Sequence, residues 1–297
     1  MWSFYKKIKV VTHDSHFHAD DVCAIASLSM LYGNKIKVIR SRDPKIIEQG
    51  DIVLDVGGKY DGVRFFDHHQ IGGAGKRDNN IPYAAFGLIW KRFGKEICKS
   101  ETVAKRFDEV FVQPIDANDN GVSISETKFS GVYPFKFDAF VFASNPTWKE
   151  SDACRDEKFF QTVELFKKII AREIVFLQHE EEAREKVLAE YAQAEDKRIV
   201  ILSKHYPVQD VLTAIPETLF YVYPRDSGIW GVRAVRDVGM DYKNRKDLPA
   251  SWAGKRDAEL AQITGVPDAI FCHNARFMIV AGSKEGAVML AQKAIDL

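Results

Sequence analysis

The sequence has 297 residues, 46% of them apolar, which is enough for a sizeable core and for one large domain or two ordinary ones. Forty-two basic side chains balance 42 acidic ones, so overall charge does not hold this chain on nucleic acid or an anionic membrane; only a local basic cleft would. No apolar run reaches the roughly 18 residues of a membrane span, and the opening residues lack the apolar stretch and cleavage site of a signal peptide. The cysteines, Cys23, Cys98, Cys154 and Cys272, are scattered without a CxxC. That spacing disfavours a disulfide framework or a thiolate zinc site and predicts a reducing, cytoplasmic setting.

In chain order, residues 9–12 read as a strand. Residues 20–31 follow with Val22, Ile25, Leu28 and Met30 at helical spacing, until Gly33-Asn34 stops the helix. Residues 36–39, 52–54 and 63–66 are further strand-like runs, and residues 82–93 and 101–112 read as helices. This β-α-β order predicts an α/β fold with a mainly parallel sheet and helices on both faces. A break falls at Ser144-Asn145-Pro146-Thr147-Trp148. Beyond it, residues 156–194 predict one long helix or two in series. Val163, Phe166, Ile170, Ile174 and Leu177 form its apolar stripe, and Glu180-Glu181-Glu182 belongs to its solvated side. After residue 196, short strands at 199–202, 219–222, 229–235, 269–272 and 277–281 mix with helices at 255–264 and 285–295. The expected organisation is an α/β domain over residues 1–145, a helical connector over 146–196 and a smaller α+β domain over 197–297.

Four polar clusters follow strands or helices of the first domain. His13-Asp14-Ser15-His16-Phe17-His18-Ala19-Asp20-Asp21 places three histidines and three aspartates within nine residues. Asp55 closes the run at 52–54, ahead of Gly57-Gly58. Asp67-His68-His69 closes the run at 63–66. Asp116 follows the 101–112 helix, while Asp119, in Asp119-Asn120-Gly121, reads as a turn former, as do Asp14 and Ser15. Ligands of an open α/β sheet bind at the carboxyl ends of its strands, so strands one, three and four would deliver polar groups to one edge. His and Asp donors without Cys suit Mn²⁺, Mg²⁺ or another borderline-hard divalent ion. Two such ions, roughly 3.5–4 Å apart, need several carboxylates with one bridging. Gly57-Gly58 and Gly72-Gly73 lie outside any GxGxxG and read as tight turns.

Residues 225–256 carry eight cations (Arg225, Arg233, Arg236, Lys243, Arg245, Lys246, Lys255, Arg256) against Asp226, Asp237, Asp241 and Asp247, with Trp230, Tyr242 and Trp252 interleaved. Cations among flat aromatic faces are what a single nucleic-acid strand needs. The two faces of a strand give the same alternation, with Trp230 and Trp252 then in the core. His273-Asn274-Ala275-Arg276 falls between two strand-like runs, so it is a loop or tight hairpin that can project polar groups into a cleft.

At Asp67-His68-His69, taken with the upstream His/Asp cluster, Asp55 and Asp116 in the same order, the sequence resembles the DHH superfamily of metal-dependent phosphoesterases. More closely, it is similar to the melanocyte-proliferating-gene (MYG) exonuclease family. The matching residues are Thr12-His13, Phe17-His18-Ala19-Asp20-Asp21, Arg42-Asp43-Pro44, residues 51–61, Asp67-His68-His69-Gln70, residues 116–121, Asn145-Pro146-Thr147-Trp148, residues 248–257, Phe271-Cys272-His273 and Glu285-Gly286-Ala287. The resemblance covers nearly the whole chain.

The resemblance implies a DHH-like parallel-sheet domain, a helical connector and an α+β domain, with the active site in the cleft between the domains. It implies metal-dependent hydrolysis of phosphodiester bonds, as a 3′→5′ exonuclease on RNA or short oligonucleotides, with Mn²⁺ as the expected ion. His18 or His13 with Asp20 would bind one ion and Asp21 the neighbouring one. Asp55 would bridge them. His68 would bind the second ion, with Asp67 ligating or orienting, and Asp116 would complete that site. His69 would face the substrate phosphate. The superfamily spacing of His, three residues, Asp, one residue, Asp is altered here: His16 to Asp20 has the first gap, but Val22 stands in the last place. The choice among His13, His16 and His18 stays open, the MYG pattern favouring His13 and His18. The second domain would close over the metals, with His273 and Arg276 as catalytic and substrate-binding candidates and Arg225 and Arg256 behind them. The implied partner is RNA or an oligonucleotide, without a membrane and with room for a homo-oligomer. Two other readings are a small-molecule phosphohydrolase, acting on pyrophosphate or a cyclic dinucleotide, and a catalytically silent nucleic-acid-binding protein.

Overall fold

A computed structural model describes residues 6–237 and 243–297; Asp241 and Tyr242 of the basic segment lie outside the described residues. The chain divides into two compact units, Met1–Gln178 and His179–Leu297.

In the first unit, four short apolar runs form β1 (Ile8–Thr12), β2 (Ile36–Arg40), β3 (Ile52–Leu54) and β4 (Phe65–Phe66). They pair in parallel in the order β2-β1-β3-β4. Side chains alternate across a strand, so Val10, Ile52, Leu54 and Phe66 enter the main core while Val11, Val53 and Phe65 enter a smaller one on the opposite face. The main core is built with α1 (Ala19–Tyr32) and α3 (Ala85–Cys98); the smaller one is closed by Ile46 and Ile47 of α2 (Pro44–Ile47). Arg42-Asp43-Pro44 has a local task here. Asp43 caps α2 by accepting from the Lys45 amide at 2.8 Å, and Pro44 occupies the first turn, where its missing N–H costs nothing.

Several boundaries differ from those expected: the helix read at 82–93 is Ala85–Cys98, and two further differences bear on the site. The strand at 63–66 is shortened to Phe65–Phe66, because the Asp61 carboxylate accepts from the amides of Val63, Arg64 and Phe65 and bends the chain. The helix expected to end at residue 112 continues. α4 (Glu101–Phe107) passes through a wide π-type segment, Asp108–Val112, into α5 (Gln113–Asp119). Pro114 falls in the first turn of α5 and so does not break it. Asp116 therefore sits inside a helix.

The break near residue 145 holds the loop between β1 and α1. After α6 (Phe137–Phe142), Asn145 accepts from the Phe17 amide at 3.0 Å and donates to the Phe17 carbonyl at 2.9 Å. The Arg40 guanidinium packs over the Phe159 ring, 4.5 Å from its centroid, and donates to the Ser15 carbonyl at 2.7 Å. The following segment is one helix, α7 (Arg155–Gln193); Phe159, Val163, Phe166, Ile170, Ile174 and Leu177 supply its stripe in the first core.

The second unit holds a mixed sheet of β5 (Ile199–Ile201), β6 (Phe220–Pro224), β7 (Trp230–Ala234), β8 (Ala269–Cys272) and β9 (Met278–Ala281), in the order β5-β6-β7-β9-β8. Only β5 and β6 pair in parallel among these strands. α8 (Gln209–Thr213), α9 (Asp257–Thr264) and α10 (Lys284–Asp296) complete it. Trp252 is buried in its core, whereas Trp230 is partly exposed. The architecture is α/β with a parallel sheet, followed by a mixed sheet. Among the described residues, no helix is long and apolar enough to cross a membrane.

Candidate metal centre

β2 and β3 flank β1, so the chain reverses its direction of winding beside β1. Such a reversal opens a crevice beyond the carboxyl ends of the strands on either side. His13 directly follows β1, Asp55 directly follows β3 and Asp67 directly follows β4. Asp55 has φ 54°, a left-handed conformation that costs an L residue about 1–2 kcal/mol. Gly57 and Gly58 continue the turn at φ 99° and 65°. The turn returns the Gly58 amide to Asp67 Oδ2 at 2.6 Å.

His13 is oriented from behind. Its Nδ1 donates to the Asp14 carbonyl at 2.6 Å, which leaves Nε2 facing Asp55 Oδ2 at 3.2 Å and Asp21 Oδ2 at 3.4 Å. Asp21 is likewise fixed: its Oδ1 accepts from the His18 amide at 2.8 Å in the first turn of α1. His18, His13 and Asp55 offer donor atoms within 4.8 Å of one another. His16 is not drawn in; its ring stacks on Phe142 instead.

A second group joins Asp55, Asp67, His68 and His69 within the same 4.8 Å limit. His68 presents Nδ1 to Asp55 Oδ1 at 3.8 Å and Nε2 to Asp119 Oδ2 at 3.1 Å. Asp67 holds the exposed His69 ring, Nδ1 to Oδ1 at 2.7 Å, and turns its other edge outward. A third group comprises Asp20, His68 and Asp119. Asp20 lies at the amino end of α3, accepting from the amides of Ala85 at 3.0 Å and Phe86 at 2.6 Å. Asp55 and His68 each belong to two groups, so the three merge into one site.

Asp116 faces elsewhere. Its Oδ1 accepts from the Gly87 amide at 3.0 Å, and its Oδ2 lies 2.8 Å from Arg77, which also forks onto Asp108 at 2.6 and 2.9 Å. A Cβ on Gly87 would stand 1.8 Å from Asp116 Oδ2, so that contact requires glycine. Asp119, the residue that reaches His68, is the one the sequence reading assigned to a turn.

The site is crowded with buried carboxylates. Burial raises Asp20 well above the ordinary carboxylate range, and the charges of Asp119, Asp55 and Asp116 add to this. Burial also pushes Asp21 up to about 6, against the pull of His13. Burial disfavours the charged form of His13, but the approach of Asp55 and the charge of Asp21 outweigh it and raise its pKa to about 9. Asp67 is low despite burial, because the His69 ring and the Gly58 amide bond its ionised form. His69 is raised mainly by its bond to Asp67. His13 Nε2, Asp21 Oδ2, Asp55 Oδ1 and His68 Nδ1 are buried without an aligned hydrogen-bond partner. Orphaned atoms of this kind are costly unless something else satisfies them. Imidazole nitrogens and carboxylate oxygens around excess negative charge are the donor set of a borderline-hard divalent ion, and these residues fit one.

The C-terminal candidates belong to the second unit. His273 and Arg276 lie in the hairpin between β8 and β9, Arg276 at φ 57° and bonded to Asp247 at 2.7 Å. The His273 ring packs on Phe277. Arg256 lies over the Phe271 ring, and Arg225 follows β6, donating to the Tyr223 hydroxyl at 3.1 Å.

Residues 9–295 match the MYG1 exonuclease family, described as an uncharacterised protein family (UPF0160). The MYG1 protein C694.04c of Schizosaccharomyces pombe is 31% identical over 97% of this chain and 98% of its own length. The MYG1 protein YER156C of Saccharomyces cerevisiae is 32% identical over 97% and 95%. The human MYG1 exonuclease is 28% identical over 96% and 85%. No solved structure gives a significant match. With a family match over nearly its whole length and relatives this similar from end to end, the chain belongs to the MYG1 exonuclease family.

Proposed function

We propose that this protein is a metal-dependent phosphoesterase of the DHH type, a 3′→5′ exonuclease on RNA or short oligonucleotides that uses Mn²⁺. The observation that carries the reading is Asp55, a strained, buried carboxylate whose Oδ2 faces His13 and whose Oδ1 faces His68 and His69. A carboxylate whose two oxygens face separate imidazoles supports a bridging role between two ion positions. The name MYG1 exonuclease, borne by the human and rat relatives, supports the nuclease class.

In this reading His13, His18 and Asp21 would hold one ion and His68, Asp20 and Asp119 the other, with Asp55 available to both. Asp67 would complete or orient the second set. When bound, divalent ions supply an acidified water and Lewis acidity toward a phosphoryl group. His69, aimed outward by Asp67 and favoured as a cation, meets a phosphoryl oxygen and offsets charge that grows in the transition state. Asp116 acts at a distance, holding α5 and hence Asp119 in register through Arg77. Residues 1–145 carry the chemistry. Residues 197–297 supply strand contacts from Arg225, Arg256, His273 and Arg276.

The test is a product analysis with Mn²⁺ and with EDTA on 3′- and 5′-labelled RNA, DNA, dinucleotides, pyrophosphate and a cyclic dinucleotide. Stepwise release of mononucleotides from the 3′ end of RNA, abolished by EDTA and restored by Mn²⁺, is the expected result. Turnover of pyrophosphate or the cyclic dinucleotide alone would replace it with a small-molecule phosphohydrolase.

A further inference from the structure

Beside the ion-ligand cluster, His18, Asn118, Asp119, Asp138, Ala139 and Phe142 line an open pocket of about 430 Å³. Its size is within the range that holds one small organic group. It shares two walls with the cluster. His18 is grouped with His13 and Asp55, and Asp119 with His68 and Asp20. A group seated in the pocket is therefore next to whatever reaches the orphaned atoms of His13, Asp55 and His68.

The chemistry of the lining is selective. Asp119 and Asp138 face it, and the nearby Lys136 ammonium is tied to Asn118 Oδ1 at 2.9 Å. Such a lining repels an anion and favours a neutral group bearing N–H donors. Phe142, at the end of α6, is 59% exposed, and the nearly parallel His16 ring (14° between planes) supports it from one side. A supported but uncovered ring is a stacking platform for a flat partner.

We propose that this pocket binds the nucleobase of the terminal nucleotide, stacked on Phe142 with its amino edge on Asp138, while the adjoining phosphate lies at the carboxylate–histidine cluster. The inference rests on the phosphoesterase reading and narrows it: bases with an exocyclic amino group bind better than uracil.

The experiment is calorimetric titration of the Mn²⁺-loaded protein with AMP, CMP, UMP, ribose 5-phosphate and inorganic phosphate. AMP and CMP are expected to bind at least about 5-fold tighter than ribose 5-phosphate, the low end of base stacking, which spans about 5- to 150-fold. Phe142→Ala should erase that margin with phosphate affinity unchanged, Phe142→Tyr should keep it, and Asp138→Asn should weaken CMP and AMP more than UMP. Nucleotides binding no better than ribose 5-phosphate, or Phe142→Ala lowering nucleotide and phosphate affinity alike, overturns the base pocket. Turnover of bis(4-nitrophenyl) phosphate in the same preparation reads the phosphoesterase proposal separately. Turnover without base preference removes only the pocket; base preference without hydrolysis of any phosphoester removes only the enzyme.

Discussion

His68 Nε2 lies 3.1 Å from Asp119 Oδ2, while Nδ1 of the same ring faces Asp55 Oδ1 at 3.8 Å. One imidazole thus spans a carboxylate from the turn after β3 and another from the end of α5. His68→Ala and Asp67→Asn are expected to abolish hydrolysis with the fold intact. Asp119→Ala should lower ion affinity by about 100-fold or more, since even partners behind the ligands are worth 10–100-fold. Wild-type turnover and Mn²⁺ affinity in Asp119→Ala would return Asp119 to the role of a turn residue.

Asp116 should behave differently. Removing it leaves the Arg77 side chain, only 7% exposed, with Asp108 alone. Breaking a buried pair costs about 3–5 kcal/mol, and the surviving Asp108 contact puts Asp116→Ala at about 3. Urea unfolding of the metal-free protein measures this. A loss below about 1 kcal/mol, the scale of an exposed pair, would mean that Arg77 does not depend on Asp116.

Asp55 sets stability against binding. Replacing it by Gly relieves the left-handed backbone, worth about 1 kcal/mol, and removes one charge from a crowded carboxylate cluster. Above about pH 9, where His13 is neutral and no longer pairs with Asp55, the metal-free Asp55→Gly protein is expected to melt above the wild type, and it should gain nothing from Mn²⁺. Thermal melts with EDTA and with Mn²⁺ check both halves; an unaltered Mn²⁺ response would remove Asp55 from the ligand set.

The pH dependence has a definite sign. His13, ordinarily at 6.5, is raised to about 9 in the folded chain, and Asp21 and Asp116, ordinarily at 3.8, are raised to about 6 and about 7. Each group holds a proton more tightly folded than unfolded. Its contribution is complete below the unfolded pKa and is lost as pH rises through the folded one. The metal-free protein should therefore lose stability from pH 4 to pH 9, the contributions of Asp21 and Asp116 being gone by about pH 6–7 and that of His13 by about pH 9. Divalent ions compete with the protons on His13 and Asp21, so the stabilisation by Mn²⁺ should grow over that interval. Melting curves in EDTA that rise toward pH 9 would contradict this.

Arg225 is the strand contact most open to test. Its guanidinium meets the Tyr223 hydroxyl and the Met278 sulfur, and no carboxylate pairs with it among the described residues, whereas Arg276 is paired with Asp247. Arg225→Ala should reduce the salt slope of single-strand binding by about 0.7. Titration of a hydrolysis-dead variant with RNA of increasing length gives the number. An unchanged slope, with affinity independent of length, would remove the strand contact.

The carboxyl ends of β1, β3 and β4 were legible because a short apolar run followed by His or Asp names both the strand and the group it delivers. That pattern located His13, Asp55, Asp67 and His68. It gave no account of α5. Asn120-Gly121 marked a turn correctly, but a turn former at a helix end can also direct its carboxylate inward, as Asp119 does toward His68. The partnership of Asp116 with Arg77 depends on Gly87 leaving room for it, a contact between distant segments that no local pattern records. The short α2 was missed because its signal, Asp43-Pro44, stood without an apolar repeat long enough to register. His16 and His18 could not be separated by spacing, since Phe142 and Asp55, which claim one each, lie far along the chain.

The clasp between Asn145 and Phe17 bears on synthesis. The residues from His13 to Asp119 leave the ribosome well before Asn145, and the Phe159 ring under Arg40 follows later still. A nascent chain halted before residue 145 has every strand of the parallel sheet, and Arg40 to hold Ser15, but lacks the two hydrogen bonds by which Asn145 holds Phe17 in the loop between its first strand and first helix. Domains are generally completed as units during translation, so the histidines on that loop reach their final geometry only after the unit is almost fully made. An ion captured earlier would meet a partial set of ligands, and the competent site is acquired late.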